Sequence, residues 1–245
     1  LPTGRLLAAE ALMRWSHPTL GDVPPAEFIP VAVDSGLMVE LGAWMLRQAC
    51  LQWRRWQQQD AALAPAVVSV NLSRIELADT ARLLRTVQQA LQAAAMPPQA
   101  LQLEYAEHEL VKDLQPTLER LRELQALGVR LALDDFGTGH ASLGCLRDAP
   151  FHAVKIDHAV VAALAHEPQA LAMARATVQL LGQLGLDSIA DGVEQAGAAA
   201  LLVAMGCRAA QGLGFAPPMG ADLLLQAVAG GAGFRLAPPA ADPGP

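Results

Sequence analysis

Carboxylate and amide side chains, and one lysine, stand at or just past the ends of short apolar runs. They are Glu10, Asn71, Glu104, Asp134 with Asp135, Lys155, Asp191 and Gln211. Oxygen donors of this kind suit a hard divalent cation, Mg2+ or Mn2+, rather than zinc held by thiolates or imidazoles. The adjacent Asp134 and Asp135 suggest two ions sharing a carboxylate. In such centres the ions lie about 3.5–4 Å apart and activate water for in-line attack on phosphorus. Lys155 suits orienting that water or steadying charge on the phosphate oxygens. Taken singly, each residue has a plainer account, since a lone carboxylate near a strand end is usually a helix cap or half of a surface ion pair. Recurrence at one end of successive runs is what favours chemistry.

Other candidates carry less. Gly137-Thr138-Gly139-His140-Ala141-Ser142 resembles a glycine-rich phosphate loop, but Ser142 leaves the dinucleotide fingerprint incomplete, and a flexible loop is the more economical reading. The 6 histidines show no ligand spacing. Ser73 and Ser142 lack an evident His–Asp partnership, which argues against a serine hydrolase. Trp15, Trp44, Trp53 and Trp56 read as core or interface rather than as a nucleotide-stacking platform. Cys50, Cys145 and Cys207 are odd in number and far apart, so they read as buried thiols in a reducing, cytoplasmic setting rather than a disulfide framework. A net charge of −7 excludes a large nucleic-acid footprint, yet bound cations would still let an acidic pocket take a small phosphate ligand.

The elements that must position these residues alternate along the chain. Candidate strands are Leu6–Leu12, Ala66–Leu72, Ala100–Tyr105, Val129–Asp134, Ala153–Ile156, Asp187–Ala190 and Arg208–Ala210. Between them lie helix-period segments: Leu41–Gln59, with Trp44, Leu46, Cys50, Trp53 and Trp56 as its apolar residues, then Thr80–Ala95, Pro116–Leu127, Pro168–Leu184 and Glu194–Met205. Gly128 and Gly185 stand where helix C-caps belong. Strand–helix repetition predicts a parallel sheet with helices outside, and strands rich in Val, Leu and Ala fit burial on both faces. The 245 residues, 53% of them hydrophobic, suit an eightfold βα barrel whose strand ends open onto one face. Seven candidate strands leave one unaccounted for, and a doubly wound open sheet is the structural alternative. No apolar run reaches the roughly 18 residues of a membrane span, and no signal peptide is visible. Ala237–Pro245 reads as a frayed tail following a domain over residues 1–236.

The same residues carry a family resemblance. Glu10-Ala11-Leu12-Met13-Arg14-Trp15-Ser16-His17-Pro18 resembles the signature of EAL domains. The likeness continues through Phe28-Ile29-Pro30, Val70-Asn71-Leu72-Ser73, Leu103-Glu104 with Glu107, and Leu133-Asp134-Asp135-Phe136-Gly137-Thr138-Gly139. It runs on through Val154-Lys155-Ile156-Asp157, Ala190-Asp191-Gly192-Val193-Glu194 and Gln211-Gly212. Resemblance implies a modified (β/α)8 TIM-type barrel that opens cyclic di-GMP to linear pGpG with Mg2+ or Mn2+. Glu10, Asn71, Glu104 and Asp134 would hold one ion, and Asp134, Asp135 and Asp191 a second. Lys155 would contact the attacking water, with Asp191 and Glu194 counted among the catalytic residues. Leu12 and Arg14 would contact substrate, Gln211 would support the site, and Glu107 would brace the loop Asp135–Ser142. The family also implies a homodimer near that loop, a first strand lying before Leu1, and sensory or diguanylate-cyclase-like (GGDEF-type) domains upstream.

Four positions depart from the family pattern. Asp191 replaces a glutamate, Ala106 a threonine, Val33 a glutamate and His140 an aromatic residue. Asp191 matters most, because its carboxylate retreats by about 1 Å, a misplacement that costs on the order of 100-fold in rate. An attenuated enzyme is expected, and a weak cyclic di-GMP receptor is the alternative.

Overall fold

Runs apolar on both faces become parallel strands, and segments of helical period become the helices between them. The computed structural model describes residues 3–138 and 143–230. Its elements begin with β1 (Ala8–Ala11), β2 (Trp15–His17), β3 (Gly21–Val23), α1 (Pro25–Asp34), α2 (Met38–Asp60), β4 (Val67–Asn71), α3 (Arg74–Ala78) and α4 (Thr80–Ala94). There follow β5 (Leu101–Ala106), α5 (Glu107–Leu110), α6 (Leu114–Ala126), β6 (Arg130–Phe136), α7 (Leu143–Asp148), β7 (Ala153–Ile156) and α8 (His158–Ala163). The last are α9 (Pro168–Gln183), β8 (Asp187–Ala190), α10 (Ala196–Met205), β9 (Ala209–Ala210) and α11 (Ala221–Ala229). Each of the seven candidate strands has its counterpart, displaced by at most two residues at either end. The antiparallel β2–β3 pair, α1, α11 and the short helices α3, α5, α7 and α8 were not expected. The tail Ala237–Pro245 and the end of the glycine-rich loop, residues 139–142, lie outside the described residues.

The chain divides into two units. One comprises Ala8–Tyr105 and Asp113–Leu131. Here β1, β4 and β5 run parallel in that order, with Glu10 opposite Ser69 and Asn71 opposite Glu104. Helix α2 buries Leu46, Cys50, Trp53 and Trp56, a stripe three or four residues apart. Trp44 lies two residues from Leu46, on the far side of that stripe, and is 48% exposed. Burial pushes the Cys50 thiol up to about 12, so it packs as a small apolar group and not as a nucleophile.

The other unit comprises Leu1–Leu7, Ala106–Lys112 and Ala132–Pro245. In it β6, β7, β8 and β9 run parallel in that order. Its core gathers Ile156, Val161, Leu164, Ala174, Val178, Ala190, Val193, Leu202 and Cys207. Burial raises the Cys207 thiol too, against hydrogen bonds to Ser188, Ala209 and Ala190 that lower it. Gly128 and Gly185 take φ of +87° and +73° directly after α6 and α9, as left-handed helix ends require. No described helix is long and apolar enough to cross a membrane.

Candidate active site

The ends of β1, β4 and β5 present Glu10, Asn71 and Glu104. Asn71 is the last residue of β4, and its side-chain amide donates to Glu10 Oε1 at 2.9 Å. With the amide nitrogen so engaged, Oδ1 is the atom Asn71 offers to an ion. The neighbouring backbone is tied to β5, where the Leu72 N–H donates to the Glu104 carbonyl at 2.8 Å. Glu104 is buried at 3% exposure, and Gln102, on the same face of β5, donates to its Oε1 at 3.1 Å. Leu12 and Arg14 follow β1 and are exposed, and the Arg14 guanidinium donates to the Met13 carbonyl at 2.8 Å.

In the other unit, β6 breaks its ladder with β7 where the acidic pair falls. Leu133 pairs with Val154 and Phe136 with Ile156, so Asp134 and Asp135 together oppose the single Lys155. This is a β-bulge, which re-aims side chains that regular pleating would send to opposite faces. Asp135 takes a left-handed φ of +57°, and its N–H donates to Asp134 Oδ1 at 2.9 Å. A non-glycine residue in that region is a local cost that recurs at functional sites.

Lys155 is the electrostatic centre of this half. Its side chain is only 2% exposed, and Nζ lies 3.2 Å from Asp134 Oδ2 and 4.0 Å from Asp191 Oδ2. Asp191 follows β8, where its Oδ1 accepts from the Gly192 N–H at 2.7 Å and from Gln211 Nε2 at 3.0 Å. Gln211 is itself fixed by its N–H to the Ala190 carbonyl at 2.9 Å. Glu194 is exposed, three residues past Asp191. Glu107, 1% exposed, accepts from the Gly137 N–H at 3.0 Å and from Thr138 Oγ1 at 3.2 Å through Oε2.

Asp134, Lys155, Asp191 and Gln211 are therefore brought together in one unit, and Glu10 with Asn71 in the other. Among the described residues no group of three or more His, Cys, Asp or Glu side chains is gathered into a ready metal cage. The donor chemistry nevertheless fits a hard cation, since every proposed ligand offers oxygen. Near these residues the sequence gives little sign of two features. One is the bulge, although two adjacent acids inside an apolar strand are its signal. The other is the capping role of Asp157, 5% exposed, whose Oδ1 accepts from the Ala159 N–H at 2.8 Å at the start of α8.

Comparison with known proteins gives these residues a family. The EAL domain profile matches residues 1–218. The chain is 38% identical over 228 residues to the bifunctional diguanylate cyclase/cyclic di-GMP phosphodiesterase MucR of Pseudomonas aeruginosa, covering 93% of this chain and 33% of that protein. A cyclic di-GMP phosphodiesterase of the same organism is 38% identical over 219 residues, covering 89% of this chain and 37% of its own length. The chain thus spans little more than a third of these relatives. Among solved structures, the MucR phosphodiesterase in complex with c-di-GMP superposes with a TM-score of 0.82 at 38% identity, covering 88% of this chain and 86% of that one. Seven parallel strands alternating with helices, together with that likeness, make the fold a modified TIM-type barrel. The chain belongs to the EAL domain family.

Proposed function

We propose that this chain hydrolyses one 3′–5′ phosphodiester bond of cyclic di-GMP to give linear pGpG, with two Mg2+ or Mn2+ ions. The observation that carries the reading is the buried Lys155 ammonium set between Asp134 and Asp191, beside a bulge that turns Asp134 and Asp135 out of the β6 ladder. Two relatives named as cyclic di-GMP phosphodiesterases and a c-di-GMP-bound structural neighbour support the choice of substrate.

The family pattern implies that Glu10, Asn71, Glu104 and Asp134 would hold one ion and Asp134, Asp135 and Asp191 the other. Bound divalent ions supply Lewis acidity toward the phosphate and lower the pKa of a bound water. The Lys155 ammonium orients the attacking water and offsets charge that develops on phosphorus-bound oxygens. Asp191, held by the Gly192 N–H and Gln211, fixes the far side of that lysine. Leu12 and Arg14 contact the substrate, Arg14 through a phosphate, and Glu107 steadies the loop at Gly137 and Thr138. A homodimer near that loop belongs to the same proposal.

The test is incubation with cyclic di-GMP and Mn2+, following pGpG by chromatography. Wild type is expected to form product, and Glu10→Ala to slow it by at least about 100-fold, the upper end of what losing support for a metal ligand costs. Chelation should stop the reaction. Binding without product favours the second reading, a receptor, which the departure at Asp191 recommends. Neither binding nor product removes both.

A further inference from the structure

We propose that Glu76 is a positioning residue for Asn71, and that Gly42 exists in α2 to admit its carboxylate. The inference rests on Asn71 being a metal ligand in the function proposed above. Glu76 is 4% exposed, an unusual place for a carboxylate. Burial pushes its carboxyl up, against hydrogen bonds from Ser73 that lower it. The Oε2 atom accepts from the Ser73 N–H at 3.0 Å and from Ser73 Oγ at 2.5 Å, while Ser73 Oγ accepts from the Glu76 N–H at 3.4 Å. This reciprocal box caps α3, a helix of only 5 residues. A cap on so short a helix is a large outlay for the helix alone. Its other consequence is upstream, because Ser73 lies two residues beyond Asn71.

The segment Asn71–Ser73 is thereby gripped from two directions. On one side the Leu72 N–H is bonded to the Glu104 carbonyl of β5. On the other, Glu76 holds both the backbone and the side chain of Ser73. Immediately before these grips the Asn71 side chain reaches Glu10 at 2.9 Å, so its direction follows from how firmly the strand end is held. The space for the brace comes from α2. A Cβ placed on Gly42 would lie 1.7 Å from Glu76 Oε1 and 2.5 Å from its carboxyl carbon, so no other residue fits there unless the carboxylate moves away.

Asn71 is the single asparagine of the chain, which makes the test direct. Protein labelled with 15N only at asparagine shows one side-chain NH2 pair, read without metal. Mn2+ affinity is measured separately by calorimetry. The variants are Glu76→Ala, Glu76→Gln, Gly42→Ala and, as control, Thr86→Ala, since Thr86 lines a small cavity together with Glu76 but donates its Oγ1 to the Arg82 carbonyl and not to Ser73. Glu76→Ala and Gly42→Ala are expected to shift and broaden the Asn71 pair and weaken Mn2+ binding by about 10-fold, the scale for losing an outer support. The Gly42 result runs against local preference, since alanine is the better helix former. Glu76→Gln, which keeps an acceptor for Ser73, should stay within about threefold of wild type, well inside that scale. Thr86→Ala should change neither readout. A folded Glu76→Ala whose Asn71 pair is unmoved overturns the brace. A wild type that takes no Mn2+ ends the metal reading instead, and the Asn71 pair still decides the brace.

Discussion

Replacing Lys155 by methionine keeps the volume of the side chain and deletes its charge, so it isolates what the ammonium does. Nζ lies 3.2 Å from Asp134 and 4.0 Å from Asp191, at 2% exposure. At an effective dielectric constant near 20, a pair at 4 Å is worth about 4 kcal/mol before desolvation is charged against it. Removing one member of a buried pair costs about 3–5 kcal/mol, because the other is left uncompensated. Asp134 and Asp191 keep 15% and 33% exposure, so solvent screens them, and the lower figure of about 3 kcal/mol applies. For a chain of this size that lowers Tm by about 6–12 °C near neutral pH. Mn2+ offers the same carboxylates a replacement cation, so it should raise the Tm of the variant more than that of wild type. Scanning calorimetry at pH 7, with and without Mn2+, reads both effects. A variant melting within about 2 °C of wild type at pH 7, less than 1 kcal/mol of change would give, refutes the electrostatic account.

Two further substitutions bear on the same half of the chain. Asp191→Glu is expected to raise turnover, by up to about 100-fold if the shorter carboxylate is what limits the rate; unchanged or lower turnover in a steady-state assay would count against that account. Gly212→Ala adds a Cβ 2.3 Å from both the N and O atoms of Val193 at a φ of +150°, and should cost at least about 3 kcal/mol in denaturant unfolding. Gly182→Ala in α9, where nothing lies within 4 Å of the added Cβ, should be neutral or slightly stabilising, and equal effects at the two positions would show that the close approach to Val193 is not tight.

Strands and helices were legible because their signals are local. Val-Val-Ser-Val before Asn71 and Leu-Ala-Leu before Asp134 are runs that burial on both faces demands, and glycines after α6 and α9 mark where each helix must stop. Pairings across the sheet are not local, so the bulge that sets two acids against one lysine appears only when β6 lies beside β7. Other features were written in the sequence and passed over. Pro24-Pro25 announces a helix start at α1, and Ser73-x-x-Glu76 is a capping-box pattern in plain view. The service Gly42 gives to Glu76 had no local signal, because glycine inside a helix reads simply as a weak position. Trp44, read as core or interface, lies outside the core, because its phase on α2 departs from the buried stripe.

Whether Asp191 can make good its missing methylene is a question about backbone freedom, and the structure removes that freedom bond by bond. The Asp191 N–H is held by the Ile156 carbonyl at 3.0 Å, and the Val193 N–H by the Gln211 carbonyl at 2.9 Å. Between them Gly192 turns the chain at φ +73°, so close to α8 that an added Cβ would lie 2.5 Å from His158 Cβ. One residue on, Gly212 presses on the backbone of Val193. A segment fixed at both ends and closely packed at Gly192 and Val193 does not advance by about 1 Å without breaking several of these contacts at once. The carboxylate is also committed, since Oδ1 already accepts from Gly192 and Gln211. On the function proposed above, added reach at this position comes from a longer side chain rather than a shifted main chain, and that is why glutamate, with the backbone untouched, is the substitution expected to raise the rate.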